Sequence, residues 1–444
     1  ASAAGVSRYD DAVRSLLLFR DDVGDAWEST VADDPGFTLG HVGRAYVRCL
    51  SSEAPDAAEA REIVASLEAS GLTDRERRHV DAARAYATGD LHGAGDRLAA
   101  LSVEYPRDVL ALAVGHQLDF FCGDATGLRD RPGGVLRAWD AQHPLYGFVL
   151  GMHAFGLEES NLYPQAEMVG MRALDAEPRD VWALHAVVHV HEMQARIDAG
   201  LRFMEERRAN WSTGNFFVVH NAWHEALFRS DIGDIEGALA IYDTTLHNTE
   251  SAKVALEMLD ATALLWRLHL DGIDVGDRWT PLADAWADKT EDESWYVFND
   301  MHAVMAYVGA GRLAHARSLL SRLHEYTNEP RSDVTNAVMT AEVGLPVCEA
   351  ILAFGQARYA DTVAELHPIR RRVHRFGGSN AQRDAVARTL LEAAIRNRNG
   401  SLANALISER LALEEASPYN RRQLARIVGI GGVDDARRLA ATTV

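Results

Sequence analysis

The amino-acid sequence predicts an all-α protein built from repeated helical hairpins. From Tyr9 onwards, apolar residues recur at spacings of three and four, in stretches rich in Ala, Leu, Arg and Glu that end at Gly, Pro or Asp. This spacing places the apolar side chains along one face of a helix. Alternating runs of Val, Ile and Thr are nearly absent, so no β-sheet is expected.

Short strings that recur along the chain predict how these helices are arranged. The segment 105–112 matches the segment 177–184 at six of eight positions, and the offset of 177 − 105 = 72 residues equals two units of 36. Gly89, Gly123 and Gly233 are each followed by Asp in similar surroundings. A period near 34 residues, with a small-residue turn between two helices and Pro after the second, is typical of tetratricopeptide repeats.

The repeat pattern has a direct physical meaning. Glycine permits the left-handed turn that ends the first helix, and alanine lets the two helices approach closely. Stacked hairpins form a superhelix with a concave inner face, which we expect to be lined by polar side chains. We expect residues 1–444 to form one superhelix, with 271–293 as an irregular excursion that could separate two halves. A non-repetitive all-α domain with coincidental Gly-Asp turns is the alternative.

Composition and charge narrow the classes of partner. The 444 residues carry a formal net charge of −20, which repels phosphate groups, so no nucleic acid and no anionic membrane surface is expected as a partner. No run approaches the roughly 18 apolar residues of a membrane span. Residues 1–11 lack the basic and apolar regions of a signal peptide, so we expect a cytoplasmic protein. The three cysteines form no Cys-x-x-Cys motif, which argues against disulfides and thiolate zinc sites.

Several cofactors and reaction classes are also disfavoured. The sequence has no Walker loop and no Gly-x-Gly-x-x-Gly motif, so no nucleotide cofactor is expected. Lys253 and Lys289 are the only lysines, so pyridoxal phosphate is not expected either. The His-Glu pairs that begin at His191 and His224 do not continue to a second histidine four residues on, and metalloprotease chemistry is not supported.

Two histidine pairs mark the candidate site in the central third of the chain. His185 and His189 lie one turn apart on one helical face, and Glu192 follows about two turns after His185. His220 and His224 repeat the same four-residue spacing. Residues this far apart in a helix share a face, so each pair presents two imidazoles in the same direction.

Other candidate residues lie in the same pair or open a later helix. Asn221 and Trp223 stand between the second pair of histidines and are candidate ligand-binding residues together with Glu192. Asp300 and His302 form a third cluster, although two residues separated by one position do not share a face of a continuous helix. The candidate catalytic set is His185, His189, His220, His224, Asp300 and His302.

The chemistry of this set leaves several interpretations open. Imidazole and carboxylate ligands suit Zn, Fe or Mn, and helix bundles build metal sites from such side chains, so a divalent metal is one candidate cofactor. The same groups can act as general acid and base without a metal. They can also line a ligand pocket, or form a hydrogen-bonded polar core that serves packing alone.

A second candidate site begins at the Gly377-Gly378 pair. Ser379 or Asn380 predicts the start of a helix there, and helix N-termini with nearby arginines attract anions. Asn380 and Arg383 are therefore candidates to bind a carboxylate or phosphate ligand. The alternative is that Ser379 or Asn380 only caps the helix while Arg383 pairs with a neighbouring acid.

A family resemblance rests on strings that occur in order from about residue 70 to beyond residue 415. The chain resembles the tetratricopeptide repeat protein 38 family at 72–79, 155–163, the helix with His185, His189 and Glu192, 200–205, 220–224, 242–243, 298–302, 344–346 and 378–384. The resemblance implies one full-length α-helical repeat protein and carries no settled activity. Its strings concentrate in the His, Trp and Asp segments, which favours a functional interior.

The sequence thus favours a helical-repeat protein that binds a small polar molecule or a peptide in a His/Trp/Asp-lined concave pocket. The alternative is an enzyme that uses the same constellation, with or without a metal, for hydrolysis or carbon–carbon bond cleavage. A scaffold whose polar residues serve only packing is the third interpretation. Homo-oligomer formation is left open.

Overall fold

The computed structural model describes residues 2–32, 34–68, 70–291, 293–328 and 331–431. Within these ranges the chain forms helices and turns, and its one β-type contact is an isolated bridge between Arg20 and Asn215. The predicted all-α fold is confirmed. Residue 1 and residues 432–444 of the expected single superhelix lie outside the described residues.

The helices follow one another with short connections. The first part of the chain contains α1 (Ala3–Leu17), α2 (Val23–Ala32), α3 (Thr38–Leu50), α4 (Ala54–Ala65), α5 (Asp74–Ala87), α6 (Leu91–Glu104), α7 (Val109–Phe121), α8 (Ala125–Val135), α9 (Tyr146–Glu159), α10 (Tyr163–Ala176), α11 (Val181–Met193), α12 (Ile197–Glu206) and α13 (Arg208–Trp211). The second part contains α14 (Val218–Asp231), α15 (Ile235–Ile241), α16 (Ala255–Leu270), α17 (Trp279–Lys289), α18 (Val297–Gly309), α19 (Leu313–Asn328), α20 (Thr335–Met339), α21 (Leu345–Gly355), α22 (Tyr359–Ile369), α23 (Asn380–Arg396), α24 (Gly400–Leu413) and α25 (Pro418–Gly431). π-Helical turns follow α15 and α20, at Tyr242–Leu246 and Thr340–Gly344.

The recurring Gly-Asp pairs form the turns inside the hairpins. Gly89, Gly123 and Gly233 have φ angles of 92°, 65° and 87°, in the left-handed region that glycine adopts without strain. The aspartate that follows each glycine caps the second helix, as Asp90 does by accepting a hydrogen bond from the Gly93 amide. Successive first helices α5, α7 and α9 begin 35 (109 − 74) and 37 (146 − 109) residues apart. These tetratricopeptide-like hairpins stack into a superhelix.

The longer repeated string forms the junction between one hairpin and the next. Its aspartates, Asp108 and Asp180, are the N-caps of α7 and α11, and each accepts a hydrogen bond of 3.0 Å from the amide three residues ahead. The string recurs because the same cap must begin the first helix of each hairpin.

The stretch 271–293, expected to be irregular, is helical over Trp279–Lys289. This helix, α17, packs against α16 and α18 and completes a hairpin with α16. Its inward face carries buried Trp279, Leu282 and Trp286, which supply the apolar contacts that the Gly- and Asp-rich flanks lack. The acidic and glycine residues that suggested an excursion lie mainly in the turns at its two ends.

One continuous helical stretch, Thr335–Gly355, is long and apolar enough to cross a membrane by length and composition alone. Sixty-seven per cent of its most apolar window is buried inside the protein. It contains α20, the π-helical turn and α21, which pack against α18, α19 and α22. Its apolar character is that of a core helix in a stack of repeats.

Distant repeats contact each other directly, so the superhelix returns on itself. The Thr335 hydroxyl accepts a 3.0 Å hydrogen bond from the Leu91 amide, across 244 residues of chain. The Asn299 side chain donates to the Ser52 carbonyl at 3.1 Å, across 247 residues. These contacts join early and late repeats around the centre of the molecule, where the candidate site lies.

The close approach of α8 and α9 depends on Gly156. A Cβ atom at this position would lie 2.2 Å from the Leu128 carbonyl oxygen and 2.3 Å from the Arg129 nitrogen. We expect Gly156→Ala to lower the free energy of unfolding by about 1–3 kcal/mol, because the backbone of α8 cannot move as a side chain could. Urea unfolding followed by circular dichroism measures this change.

Gly134 supplies the matched control for Gly156. It lies in α8, and a Cβ atom added there would have no neighbouring atom within 4 Å, so Gly134→Ala adds a methyl group without a clash. We expect this variant to be more stable than the wild type by about 0.5–1 kcal/mol. Equal stabilities for the two variants would contradict the packing described for α8 and α9.

Candidate functional site

A cavity of about 630 Å³ lies at the centre of the superhelix. Its lining comes from early, middle and late repeats and is mainly apolar, with aromatic rings from Phe19, Phe120, Phe121, Phe148, Trp182, Phe217 and Phe298. Polar side chains also reach it. Three of these, His185, His220 and Asp260, are hydrogen-bonded to one another and form one polar wall.

The structure brings four of the six predicted catalytic residues together at this polar wall and directly behind it. His185 and His189 on α11 face His220 and His224 on α14, and we call these four residues the histidine cluster. One ring nitrogen from each lies within 4.8 Å of the others. The ring centroids of His185 and His189 are 4.2 Å apart, and those of His189 and His224 are 4.6 Å apart. The two sequence-predicted pairs therefore form one constellation.

Three carboxylates surround the cluster, each bonded to the Nδ1 atom of a different histidine. The distances to Nδ1 are 3.1 Å for the Glu158–His189 pair, 2.8 Å for Asp260–His220 and 2.6 Å for Glu192–His224. Such a bond orients the imidazole ring and favours the tautomer with its proton on Nδ1. The Nε2 atoms of His185 and His220 are 3.0 Å apart.

Burial shifts the pKa values of three histidines of the cluster and of Glu158 in the direction that favours their neutral forms. It lowers the pKa of His189 to about 3 and the pKa values of His185 and His224 well below the ordinary histidine value. It also raises the pKa of Glu158 to about 8. In each case the cause is the loss of water around the charged form of the group.

Trp223 and Asn221 support the cluster from α14. The Trp223 ring is fully buried and stacks on His220 with ring centroids 5.3 Å apart. Asn221 is also fully buried, and neither atom of its side-chain amide has a hydrogen-bond partner. Neither residue lines the central cavity, so their predicted contact with a ligand is not seen in the cavity wall.

Asp300 and His302 do not join the histidine cluster. Both are buried in α18, where the Asp300 carboxylate bonds to the Ser294 hydroxyl and His302 Nδ1 lies 2.8 Å from the Phe298 carbonyl oxygen. Each side chain bonds within its own segment. They were grouped with the histidine pairs as a third cluster of His and Asp, but their side chains bond locally and are not part of the group formed by α11 and α14.

Asn380 and Arg383 lie where the anion site was expected, but their anion is the protein's own Glu159. Ser379 caps α23 in a reciprocal bond with Gln382. The Asn380 amide donates to Glu159 Oε1 at 2.8 Å, and Arg383 Nη2 donates to Glu159 Oε2 at 3.2 Å. The alternative interpretation of this segment therefore describes the structure.

A second, polar cavity of about 450 Å³ adjoins these residues, and Glu192 also lines it. Glu192 thus bonds to His224 with its carboxylate while lying at the edge of this separate cavity. Arg388 and Arg410, which line the same cavity, both donate to Asp384. The Asp384 carboxylate therefore offsets part of the positive charge of these two arginines within the cavity wall.

Three features of the site were not predicted from the sequence. Glu158 and Glu159 end the otherwise apolar helix α9, and Asp260 stands at a fully buried position of α16. An acidic residue among buried apolar residues of a helix is unusual, because a carboxylate in an apolar interior needs a partner. That signal was present in the sequence. The aromatic lining had no local signal, since its residues come from widely separated repeats.

Comparisons with known proteins add little to this description. No protein-family model matches the chain. The crystal structure of the APC/C hetero-tetramer Cut9–Hcn1 is similar with a TM-score of 0.45 and 12% identity, over 92% of this chain and 73% of that chain. A monomeric mutant of IFIT1 with Gppp-AAAA is similar with a TM-score of 0.40 and 13% identity, over 95% of this chain and 99% of that chain.

Similarity of this size carries no argument about function. The class of protein is given by the fold itself, which is an α-helical repeat superhelix with tetratricopeptide-like hairpins. Because one fold can host many unrelated functions, the features that bear on function are the cavity and the histidine cluster.

The Arg383–Glu159 ion pair gives a test of the structural role of Arg383. We expect Arg383→Met to lower the free energy of unfolding by about 3 kcal/mol, because it leaves the buried Glu159 carboxylate without its cation. In a Glu159→Gln background the same change should cost less than about 1 kcal/mol. The double-mutant cycle is measured by urea unfolding. Equal costs in both backgrounds would contradict the pairing.

Proposed function

We propose that the protein binds one small, mainly apolar molecule in the central cavity, with a polar group of that molecule at the wall formed by His185, His220 and Asp260. The observation that carries this proposal is a central cavity of about 630 Å³ with aromatic lining and one hydrogen-bonded polar wall. Small-molecule sites in proteins commonly have volumes of about 300–1,000 Å³, apolar linings and few polar groups.

A small molecule fits this cavity better than a peptide. A peptide groove on a superhelix usually needs cationic clamps for a terminal carboxylate, and the chain has only Lys253 and Lys289. Lys289 forms an ion pair with Glu53, so its charge is already used inside the protein. The mainly apolar lining also changes the expected ligand, from a polar molecule to an apolar one with a polar end.

A substitution that fills the cavity tests the proposal. Ala113 on α7 lines the cavity, so the larger side chain of Ala113→Phe takes up ligand space. We expect the wild type to bind the fluorescent apolar dye Nile red at one site per chain. The variant should bind the dye at least about tenfold more weakly, a loss of about 1.4 kcal/mol.

The control for this experiment is Ala240→Phe, the same change at an exposed position of α15. We expect this variant to bind Nile red as the wild type does. Unchanged binding in Ala113→Phe, or equal losses in the two variants, would show that the dye lies elsewhere and would refute the central cavity as the binding site.

Catalysis on the bound molecule is the second candidate function. A chain of hydrogen bonds favours it, because Asp260 bonds to His220 Nδ1 at 2.8 Å and His220 Nε2 lies 3.0 Å from His185 Nε2. An imidazole oriented by a carboxylate can accept and return a proton at the cavity wall. Hydrolysis of an ester or amide is the reaction class that such a group serves most directly.

Hydrolysis of p-nitrophenyl butyrate tests this second candidate. We expect wild-type turnover above the buffer rate and at least about a tenfold lower kcat/KM in Asp260→Asn, since the histidine loses the group that orients it. Asp277→Asn, at an exposed position, should retain wild-type activity. Equal rates in wild type and Asp260→Asn would contradict catalysis by this pair and would leave ligand binding as the proposed function.

We also infer that the chain belongs to the tetratricopeptide repeat protein 38 family and acts in the cytoplasm. The support for the family is that its shared strings include the histidine cluster, Glu158 with Glu159, and the segment around Arg383, which meet at one place in the fold. The location is supported by the three cysteines of the chain, which are buried and free.

A further inference from the structure

The histidine cluster has the donor atoms of a metal site. Four imidazoles from two neighbouring helices each direct one nitrogen to a common region, with all four nitrogens within 4.8 Å of one another. Zinc–imidazole bonds are about 2.0–2.1 Å long, so small side-chain shifts would bring such nitrogens onto one ion. Imidazole is a ligand for first-row transition metals, whereas Mg²⁺ and Ca²⁺ select oxygen atoms.

The surrounding carboxylates prepare the imidazoles for this role. A metal-binding histidine almost always donates its second ring N–H to a carboxylate, a carbonyl or water. Three of the four histidines have a buried or half-buried carboxylate at Nδ1, which leaves the Nε2 lone pair towards the cluster. These pairs are His189 with Glu158, His220 with Asp260, and His224 with Glu192.

Two of the four inward nitrogens have no hydrogen-bond partner within the protein. The Nε2 atoms of His189 and His224 are fully buried, and neither has a hydrogen-bond partner. The Nε2 atoms of His185 and His220 lie 3.0 Å from each other. When Nδ1 carries the proton on His220, its Nε2 is a lone pair, which can accept a hydrogen bond from His185 Nε2–H or bind a cation. Buried polar atoms without partners are rare because each one is costly.

Carboxyl groups outnumber cationic side chains around the cluster. Glu158, Glu159, Glu192 and Asp260 stand next to its imidazoles. Among the described residues, Arg383 is the one arginine or lysine that forms an ion pair with any of these carboxylates. A bound dication would therefore have oxygen donors close to its ligands and few like charges beside it.

We propose that the Nε2 atoms of His185, His189, His220 and His224 bind one divalent transition-metal ion. Glu158, Asp260 and Glu192 hold three of these ligands in the metal-binding tautomer. His185 and His220 also line the central cavity, so the ion lies next to the space that a ligand would occupy. The metal site stands on the geometry of the cluster and goes beyond the proposed function, which does not require it.

A second group of donors, Glu158, Glu159 and His189, is less suited to an ion. Glu159 already accepts hydrogen bonds from the Asn380 amide and from Arg383. A cation there would compete with an arginine. The four histidines carry no such competitor.

Metal binding by the tag-free, full-length protein tests the proposal. The protein is stripped with dipicolinate, dialysed and titrated with Zn²⁺ and Co²⁺, with bound metal measured by inductively coupled plasma mass spectrometry. We expect one ion per chain. The Co²⁺ form should show visible d–d absorption without the intense near-ultraviolet bands of thiolate ligation, since no cysteine belongs to the cluster.

Variants locate the ion. We expect His224→Gln to lose at least about 90% of the bound metal. Glu192→Gln removes only an outer carboxylate at the edge of the cluster, and we expect it to fold and to bind Zn²⁺ about 10–100-fold more weakly. His302→Gln is the matched control, because His302 is fully buried, has an unpartnered Nε2 and lies outside the cluster. It should bind Zn²⁺ as the wild type does.

The outcomes separate the two proposals. Wild-type protein without stoichiometric Zn²⁺ or Co²⁺ overturns the metal site whatever the variants do. Equal Zn²⁺ affinity in wild type and Glu192→Gln also overturns it if His224→Gln does not fold. Loss of metal in Glu159→Gln but not in Glu192→Gln would assign the ion to the other donor group. Stripped protein that still binds Nile red would leave the proposed function intact.

Discussion

The structure around the central cavity depends on the pairing of buried carboxylates with buried imidazoles across helices. A carboxylate such as Glu158 or Asp260 has no place in an apolar helix unless a partner reaches it from the neighbouring hairpin. Each pair therefore fixes the position of one helix relative to another. With α9, α11, α14 and α16 held in this way, a polar wall can stand beside a cavity that is otherwise lined by aromatic rings.

The repeat architecture supplies the geometry that these pairs require. Each of the four helices is the first helix of a hairpin, and successive first helices lie side by side along the inner face of the superhelix. Residues four positions apart on one such helix meet the corresponding pair on the next. Early and late repeats contact each other through pairs such as Ser52 with Asn299, and residues of both line the cavity in front of the histidines. The stacking of the repeats therefore brings two pairs of histidines, each with a four-residue spacing, together in one interior site.

The sequence predicted the parts of this arrangement that have a local signal. The spacing of His185 and His189 placed two imidazoles on one face, and the Gly-Asp turns indicated the hairpins. Asp260 was missed because its importance comes from a histidine 40 residues earlier. Asp300 was assigned to the site by its sequence neighbours, yet its carboxylate bonds to Ser294, although Phe298 of the same helix lines the cavity. The anion expected near Arg383 is a side chain 224 residues away, which no local pattern reveals.

The central claim is that the aromatic cavity and the histidine cluster form one site. Crystals grown with Zn²⁺ and an alkyl hydroxamate, measured above and below the zinc absorption edge, test it most directly. We expect one anomalous peak bonded to the four Nε2 atoms, with the hydroxamate group towards it and the alkyl chain in the aromatic cavity. An anomalous peak on surface carboxylates, or a hydroxamate bound outside the cavity, would contradict it.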